Sequence, residues 1–209
     1  MKIKVCGMKF SDNIREVAAL HPDFMGFIFY KKSKRFVGDD FQMPSIDNNI
    51  IKVGVFVNEL SDEIVRLTNK YSINHVQLHG DESVYQCAEL KSKEYKIIKA
   101  FSITSNIEFE MLNSYSSVVD YFLFDTKGEN YGGNGISFDW NLLLNYKNEI
   151  PFFLSGGLSL SNTELAMSSN HPKPFALDVN SGFETEPGLK NISDLKRLFE
   201  LRQGLDTYV

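Results

Sequence analysis

The sequence predicts an α/β fold: a single-domain (β/α)8 barrel, parallel and eight-stranded, spanning residues 1–209. Three observations lead there. Short runs rich in Val, Ile and Phe recur eight times, the segments between them carry helical spacing, and 209 residues is close to the lower length limit of such barrels. The near-continuous hydrophobicity of the runs suits parallel strands buried on both faces. A doubly wound open sheet is the alternative that this pattern leaves standing.

The runs, in order, are Ile3–Cys6, Phe24–Phe29, Ile51–Phe56, His75–Leu78, Ile97–Phe101, Tyr121–Phe124, Phe152–Leu154 and Phe175–Val179. Three helices carry start signals: Ser11-Asp12 before NIREVAAL, Ser61-Asp62 before EIVRLTNKY, and Ser161-Asn162 before TELAM. A last helix is expected over Ile192–Leu201. The stretch Gly38–Asn49 has no clear period and reads as a loop plus one poor helix. No composition shift, linker or repeat divides the chain, which points to one domain.

Composition narrows the function. Hydrophobic residues make up 43% and charged residues 23%, with 22 Lys+Arg against 27 Asp+Glu for a net charge of −5. An acidic balance disfavours a nucleic-acid surface. The N-terminus MKIKVCGMKF lacks a signal core, and no apolar run approaches the ~18 residues of a membrane span. Two cysteines form no disulfide framework, so a reducing cytoplasm is the expected compartment.

Barrel chemistry belongs at the carboxyl ends of the strands. That rule selects Cys6-Gly7, Lys31 to Arg35, Asn58, His79-Gly80, Asp125, Ser155-Gly156-Gly157 and Asn180-Ser181-Gly182. Glycine turns after the seventh and eighth runs, LSGGLS and DVNSGFE, fit a phosphate site, because glycine lets backbone N–H groups approach the oxygens. The same glycines also serve simply to end strands. The cluster Gly132-Gly133-Asn134-Gly135 is neither a Walker A nor a dinucleotide fingerprint, and reads as a flexible turn into a helix capped by Asp139 or as a mobile loop over a site.

Cys6 is either a small buried hydrophobe or, with a lowered pKa, a thiolate base or nucleophile. Cys87, inside ESVYQCAEL, reads as a hydrophobe. Asp125 closes the run YFLFD and is either a turn cap or a poised general acid. Arg35, in the basic run Lys31-Lys32-Ser33-Lys34-Arg35, suits bidentate binding of a carboxylate. His75 and His79 lie about 13 Å apart on a strand and cannot share one metal ion, so no metal site is expected.

Read together, KVCGMK, GFIFYKKSKRFVG, VGVFVN, VQLHGDE, FDTKGENYGGNGISFDW, FLSGGLSLSN and ALDVNSGFETEPGLKN closely resemble the phosphoribosylanthranilate isomerase family, in order and along the whole chain. The resemblance implies a barrel without cofactor. It implies an Amadori rearrangement of N-(5-phosphoribosyl)anthranilate to 1-(2-carboxyphenylamino)-1-deoxyribulose 5-phosphate. The general base then falls on Cys6 and the general acid on Asp125. Arg35 and His79 become substrate-binding, and Gly156, Gly157, Asn180, Ser181 and Gly182 hold the phosphate. The implied partner is a small phosphosugar, with no nucleic acid or membrane, and the implied state a monomer or homodimer. Lys34 replaces a proline usual in the family, Asn134 a threonine and Asn180 a serine; altered affinity is expected, and retention of the reaction. The rivals are the related aminoaldose isomerase of histidine biosynthesis, which carries an aspartate in place of Cys6, and a non-catalytic phosphosugar-binding barrel.

Overall fold

A computed structural model describes residues 1–104, 109–126, 139–168 and 174–206, apart from the side chains of residues 168, 205 and 206. Eight parallel strands follow one another in chain order: β1 (Lys2–Val5), β2 (Phe24–Ile28), β3 (Ile51–Phe56), β4 (His75–Leu78), β5 (Lys96–Ile103), β6 (Tyr121–Thr126), β7 (Phe152–Leu154) and β8 (Ala176–Val179). β8 pairs back onto β1, with Lys4 opposite Asp178, so the sheet is a closed barrel and not the open alternative.

Successive strand side chains point to opposite faces, and here both faces are dry. Outward residues such as Ile3, Val5, Phe27, Phe122 and Leu154 belong to the large apolar layer beneath the helices. Inward residues Phe24, Val53, Ile98, Ala100, Leu123, Phe153 and Ala176 fill the lower barrel. Phe24 and Phe153 meet edge to face with ring centres 5.3 Å apart, so the barrel is plugged below and offers its upper end to a ligand.

The helices are α1 (Ser11–Ala18), α2 (Ser61–Tyr71), α3 (Val84–Ser92), α4 (Thr163–Ser168) and α5 (Ile192–Asp206). Two expected caps are displaced. Ser11 and Ser61 are the first helical residues, and the cap positions belong to Phe10 and Leu60, whose side chains cannot accept a hydrogen bond. Asp12, and Asp62 with Glu63, still place negative charge in the first turns, where the helix dipole favours it. Asn162 spends its side chain on the preceding loop, accepting from the Ser159 N–H at 2.9 Å and donating to the Gly157 carbonyl at 2.9 Å.

The poor helix expected within residues 38–49 does not form. The segment lacks a helical period and contains Pro44. Phe41 clads the barrel wall in its place, with ring centres 6.0 Å from Phe27 and 5.5 Å from Tyr71, whose hydroxyl donates to the Phe41 carbonyl at 3.1 Å. The described parts of the connections after β5 and β6 contain short 3-10 helices, Phe109–Tyr115 and Trp140–Asn145. Asp139 caps the second as expected, accepting from the Asn141 N–H. The glycine cluster at 132–135 lies outside the described residues.

Beyond β8 the chain makes a 3-10 turn, Ser181–Phe183, and a small antiparallel hairpin, β9 (Glu184–Glu186) with β10 (Leu189–Lys190), which the sequence reading did not anticipate. Among the described residues no helix is long and apolar enough to cross a membrane.

Candidate active site

Period-two alternation carries Lys4 and Cys6, Gln77 and His79, Asp125, Ser155, and Asp178 and Asn180 to the inner wall near the upper rim. A cleft of about 690 Å³ opens there, and its walls include Cys6, Arg35, His79, Asp125, Gly156, Gly157, Asn180 and Ser181. The two candidate catalytic groups and most of the candidate binding groups are thus brought together. Gly182 stands just outside. Its exposed backbone packs against the Leu158 carbonyl, joining the β7 and β8 loops.

Two glycines make the rim possible. Gly7 has φ +75°, and a Cβ there would lie 2.6 Å from Asn180 Oδ1 and 2.8 Å from Arg35 Cδ. Gly156 has φ +89°, and a Cβ would strike Thr126 Oγ1 and approach Asp125 Oδ1 to 3.0 Å. In each case the backbone takes a left-handed turn against a site residue, which only glycine permits without strain.

Cys6 is 4% exposed. Burial pushes its thiol up, Lys4 opposes that, and Asp178 adds to it. The expected lowered pKa is therefore absent, and the thiol is the resting form. Below it Lys4 is fully buried and donates to Asp178 Oδ2 at 2.8 Å and to Gln77 Oε1 at 2.6 Å. Burial works against the Lys4 charge, and Asp178 outweighs it, so the ammonium is held above the usual lysine range. Asp178 Oδ1 is buried and, among the described residues, has no hydrogen-bond partner.

Asp125 is buried, accepting from the Thr126 N–H at Oδ1 (2.8 Å) and facing His79 Nε2 from Oδ2 (3.2 Å). His79 Nδ1 is 2.7 Å from Gln77 Nε2. Both ring nitrogens of His79 are thus engaged by protein, and a substrate meets only its ring. His75, at the lower end of β4, stacks edge-on to Phe24 and is driven down to about 4 by burial. Cys87 is fully buried and pushed up to about 11 by burial, as befits a packing residue.

Arg35 does not project freely into the cleft. Its Nε and Nη2 clasp Glu184, at 2.9 and 2.7 Å, and Lys190 donates to the same carboxylate at 2.6 Å and to Asn180 Oδ1 at 2.7 Å. Burial raises the Glu184 carboxyl, the two cations outweigh it, and the net shift is downward; burial also pulls Lys190 down. This clasp fixes the Arg35 plane, and among the described residues Nη1 is left for a ligand.

The profile of the N-(5'-phosphoribosyl)anthranilate (PRA) isomerases matches residues 3–201. The chain belongs to the PRA isomerase family. It is 47% identical to the N-(5'-phosphoribosyl)anthranilate isomerase of Parabacteroides distasonis over 204 residues, 96% of this chain and 92% of that protein. The crystal structure of the enzyme from Thermotoga maritima superposes with a TM-score of 0.84 at 32% identity, covering 98% of this chain and 99% of the other. A PRA isomerase structure in complex with reduced 1-(o-carboxyphenylamino)-1-deoxyribulose 5-phosphate gives a TM-score of 0.81 at 29% identity, with 98% and 99% covered. This PRA isomerase is accordingly a cofactor-independent intramolecular oxidoreductase of tryptophan biosynthesis.

Sequence reasoning missed Lys4, Gln77, Asp178 and Glu184 as parts of this PRA isomerase site. The signal was present for three of them. A charged or amide side chain inside an apolar strand, two positions before a residue at the strand's end, must point inward with it.

Proposed function

We propose that in this PRA isomerase Cys6 is the general base and Asp125 the general acid, acting on one sugar inside the upper cleft. The observation that carries the reading is that both groups, from β1 and β6, line the same cavity. Asp125 gives its proton to the ribose ring oxygen while the C1–O bond breaks and the anilino nitrogen lone pair forms the C1=N iminium. Cys6 then removes the C2 proton, the C2–H electrons flow toward nitrogen, and the enolamine tautomerises to the ketone.

The raised resting state of Cys6 fits this order. A cation forms at the substrate nitrogen only after ring opening, and an adjacent positive charge favours the thiolate. Once that cation exists the Cys6 thiol releases its own proton to solvent in the cleft, and the thiolate so formed takes the C2 proton, so the base is switched on by the intermediate it acts upon. Arg35 Nη1 meets the anthranilate carboxylate. The backbone of Gly156 and Gly157 and the Asn180-Ser181-Gly182 turn receive the phosphate, with Gly182 placed to contribute its backbone alone. His79 presents its ring face and supports Asp125.

Fluorescence-monitored consumption of phosphoribosylanthranilate by Cys6→Ala, Cys6→Ser and Asp125→Asn tests the assignment. Acid–base groups contribute about 10²- to 10⁴-fold, so turnover within about tenfold of the parent would remove the substituted group from its role.

A further inference from the structure

A continuous polar chain runs across the floor of the cleft, from the ion pair of Lys4 with Asp178 through Gln77 and His79 to Asp125. We propose that Gln77 is a positioning residue that locks His79 into a single neutral tautomer and so preserves the proton of Asp125 for the substrate. This rests on the assignment of Asp125 as the acid.

The chain has a direction, and Lys4 sets it. An ammonium group has hydrogens and no lone pair, so it only donates. The atom of Gln77 at 2.6 Å from Lys4 Nζ must be the amide oxygen, which turns the amide NH2 toward His79. Gln77 Nε2 lies 2.7 Å from His79 Nδ1, and an N–H there needs a lone pair to meet it. Nδ1 is therefore bare, the imidazole hydrogen is on Nε2, and Nε2–H donates to Asp125 Oδ2 at 3.2 Å.

The opposite tautomer would aim a bare Nε2 at the acid. Imidazole as a class is more basic than a carboxylate by roughly two and a half pKa units, so the Asp125 proton would pass to the ring and be lost to catalysis. With hydrogen already on Nε2 and an amide N–H seated on Nδ1, His79 has no vacant nitrogen. The ring is then unable to take the proton that Asp125 has to deliver to the ring oxygen of the sugar. Lys4 and Asp178 form an ion pair on the Gln77 side, Asp178 also acts electrostatically on His79 and Asp125 without bonding either, and among the described residues Asp125 is the one ionisable side chain bonded to the ring.

The test is Gln77→Glu, which keeps shape and an acceptor for Lys4 but turns an oxygen toward Nδ1. Two-bond 1H–15N spectra of 15N-histidine protein, with His79→Gln to assign the signal, report which nitrogen carries hydrogen. The expected result is a bare Nδ1 in the parent, a protonated Nδ1 in Gln77→Glu, and a kcat lowered at least about 10²-fold, the scale of losing a general acid, with KM within about threefold. A parent protein with hydrogen on Nδ1 overturns the proposal. So does a variant that switches tautomer yet keeps kcat, or one that loses kcat with the tautomer unchanged. Should Gln77→Glu not fold, Gln77→Met replaces it. There Nδ1 loses its donor, partial protonation and a kcat lowered at least about tenfold are expected, and an unchanged kcat refutes the role. Failure of the acid assignment reads differently: Asp125→Asn would stay active while the parent spectrum kept its bare Nδ1.

Discussion

Gly26 lies beside Cys6 on the neighbouring strand, and a single methyl group added there has a calculable consequence. A Cβ at Gly26 would be 2.6 Å from Cys6 Sγ, 3.1 Å from Cys6 Cα and 3.2 Å from Cys6 Cβ. The sulfur falls about 0.8 Å short of the 3.4 Å lower edge of ordinary contact. Both strands are hydrogen-bonded in the barrel wall and cannot part cheaply, so the thiol must rotate or shift by nearly an ångström. Displacing a reacting group by 1 Å costs about 10²-fold in rate, equivalent to about 2.7 kcal/mol of transition-state stabilisation. Overpacking costs about 1–3 kcal/mol of stability, which leaves most domains folded. Gly26→Ala is therefore expected to be folded by near-UV circular dichroism, with kcat about 100-fold below the parent in the fluorescence assay and KM little changed. A folded variant with kcat within about threefold of the parent would show that the position of Cys6 is not critical, and would remove the argument that the sulfur is a precisely placed base.

The clasp on Arg35 predicts a coupled loss of stability and binding. Glu184→Gln leaves the buried Lys190 and the half-buried Arg35 short of a charge, so a loss of about 3–5 kcal/mol is expected from urea unfolding, with a raised KM; a loss under about 1 kcal/mol with KM unchanged would refute the clasp. His75 supplies a pH dependence. Its folded pKa of about 4 lies below the ordinary 6.5, because burial disfavours the cation. The neutral ring is favoured by folding, so stability is complete above about pH 6.5 and falls by up to about 3 kcal/mol as the pH drops toward 4. Thermal melts from pH 7 to 4 should show this slope, and His75→Phe should flatten it. A slope identical in the variant would assign the acid sensitivity elsewhere.

The strands were legible because both of their faces are dry: each apolar run from Ile3 to Val179 marks its strand to within two residues. Helix starts were less legible. Ser11 and Ser61 have the right chemistry one residue too late, and nothing local distinguishes a cap from a first-turn residue when tertiary packing chooses Phe10 and Leu60 for the cap position. The expected helix within residues 38–49 failed because its apolar residues Phe41, Met43 and Ile46 do not follow a helical period and Pro44 interrupts them, so they pack one by one against the core, Phe41 on Phe27 and Tyr71. In the site, residues ending strands were visible, since a rule about barrels names them. Glu184 was not. It follows the last barrel strand and gains its meaning from Arg35, 149 positions earlier in the chain.

The cladding by Phe41 and the grip of Arg35 occur in one connection, from the end of β2 to the start of β3. Wall and ligand contact are therefore inherited together: a recombinant that borrowed only the tip of this loop to recognise a different aryl acid would separate Arg35 from the stretch that seals the hydrophobic layer beneath it. The smallest transplantable unit is the entire passage from residue 29 to residue 50, and libraries aimed at new substrates should treat it as one cassette.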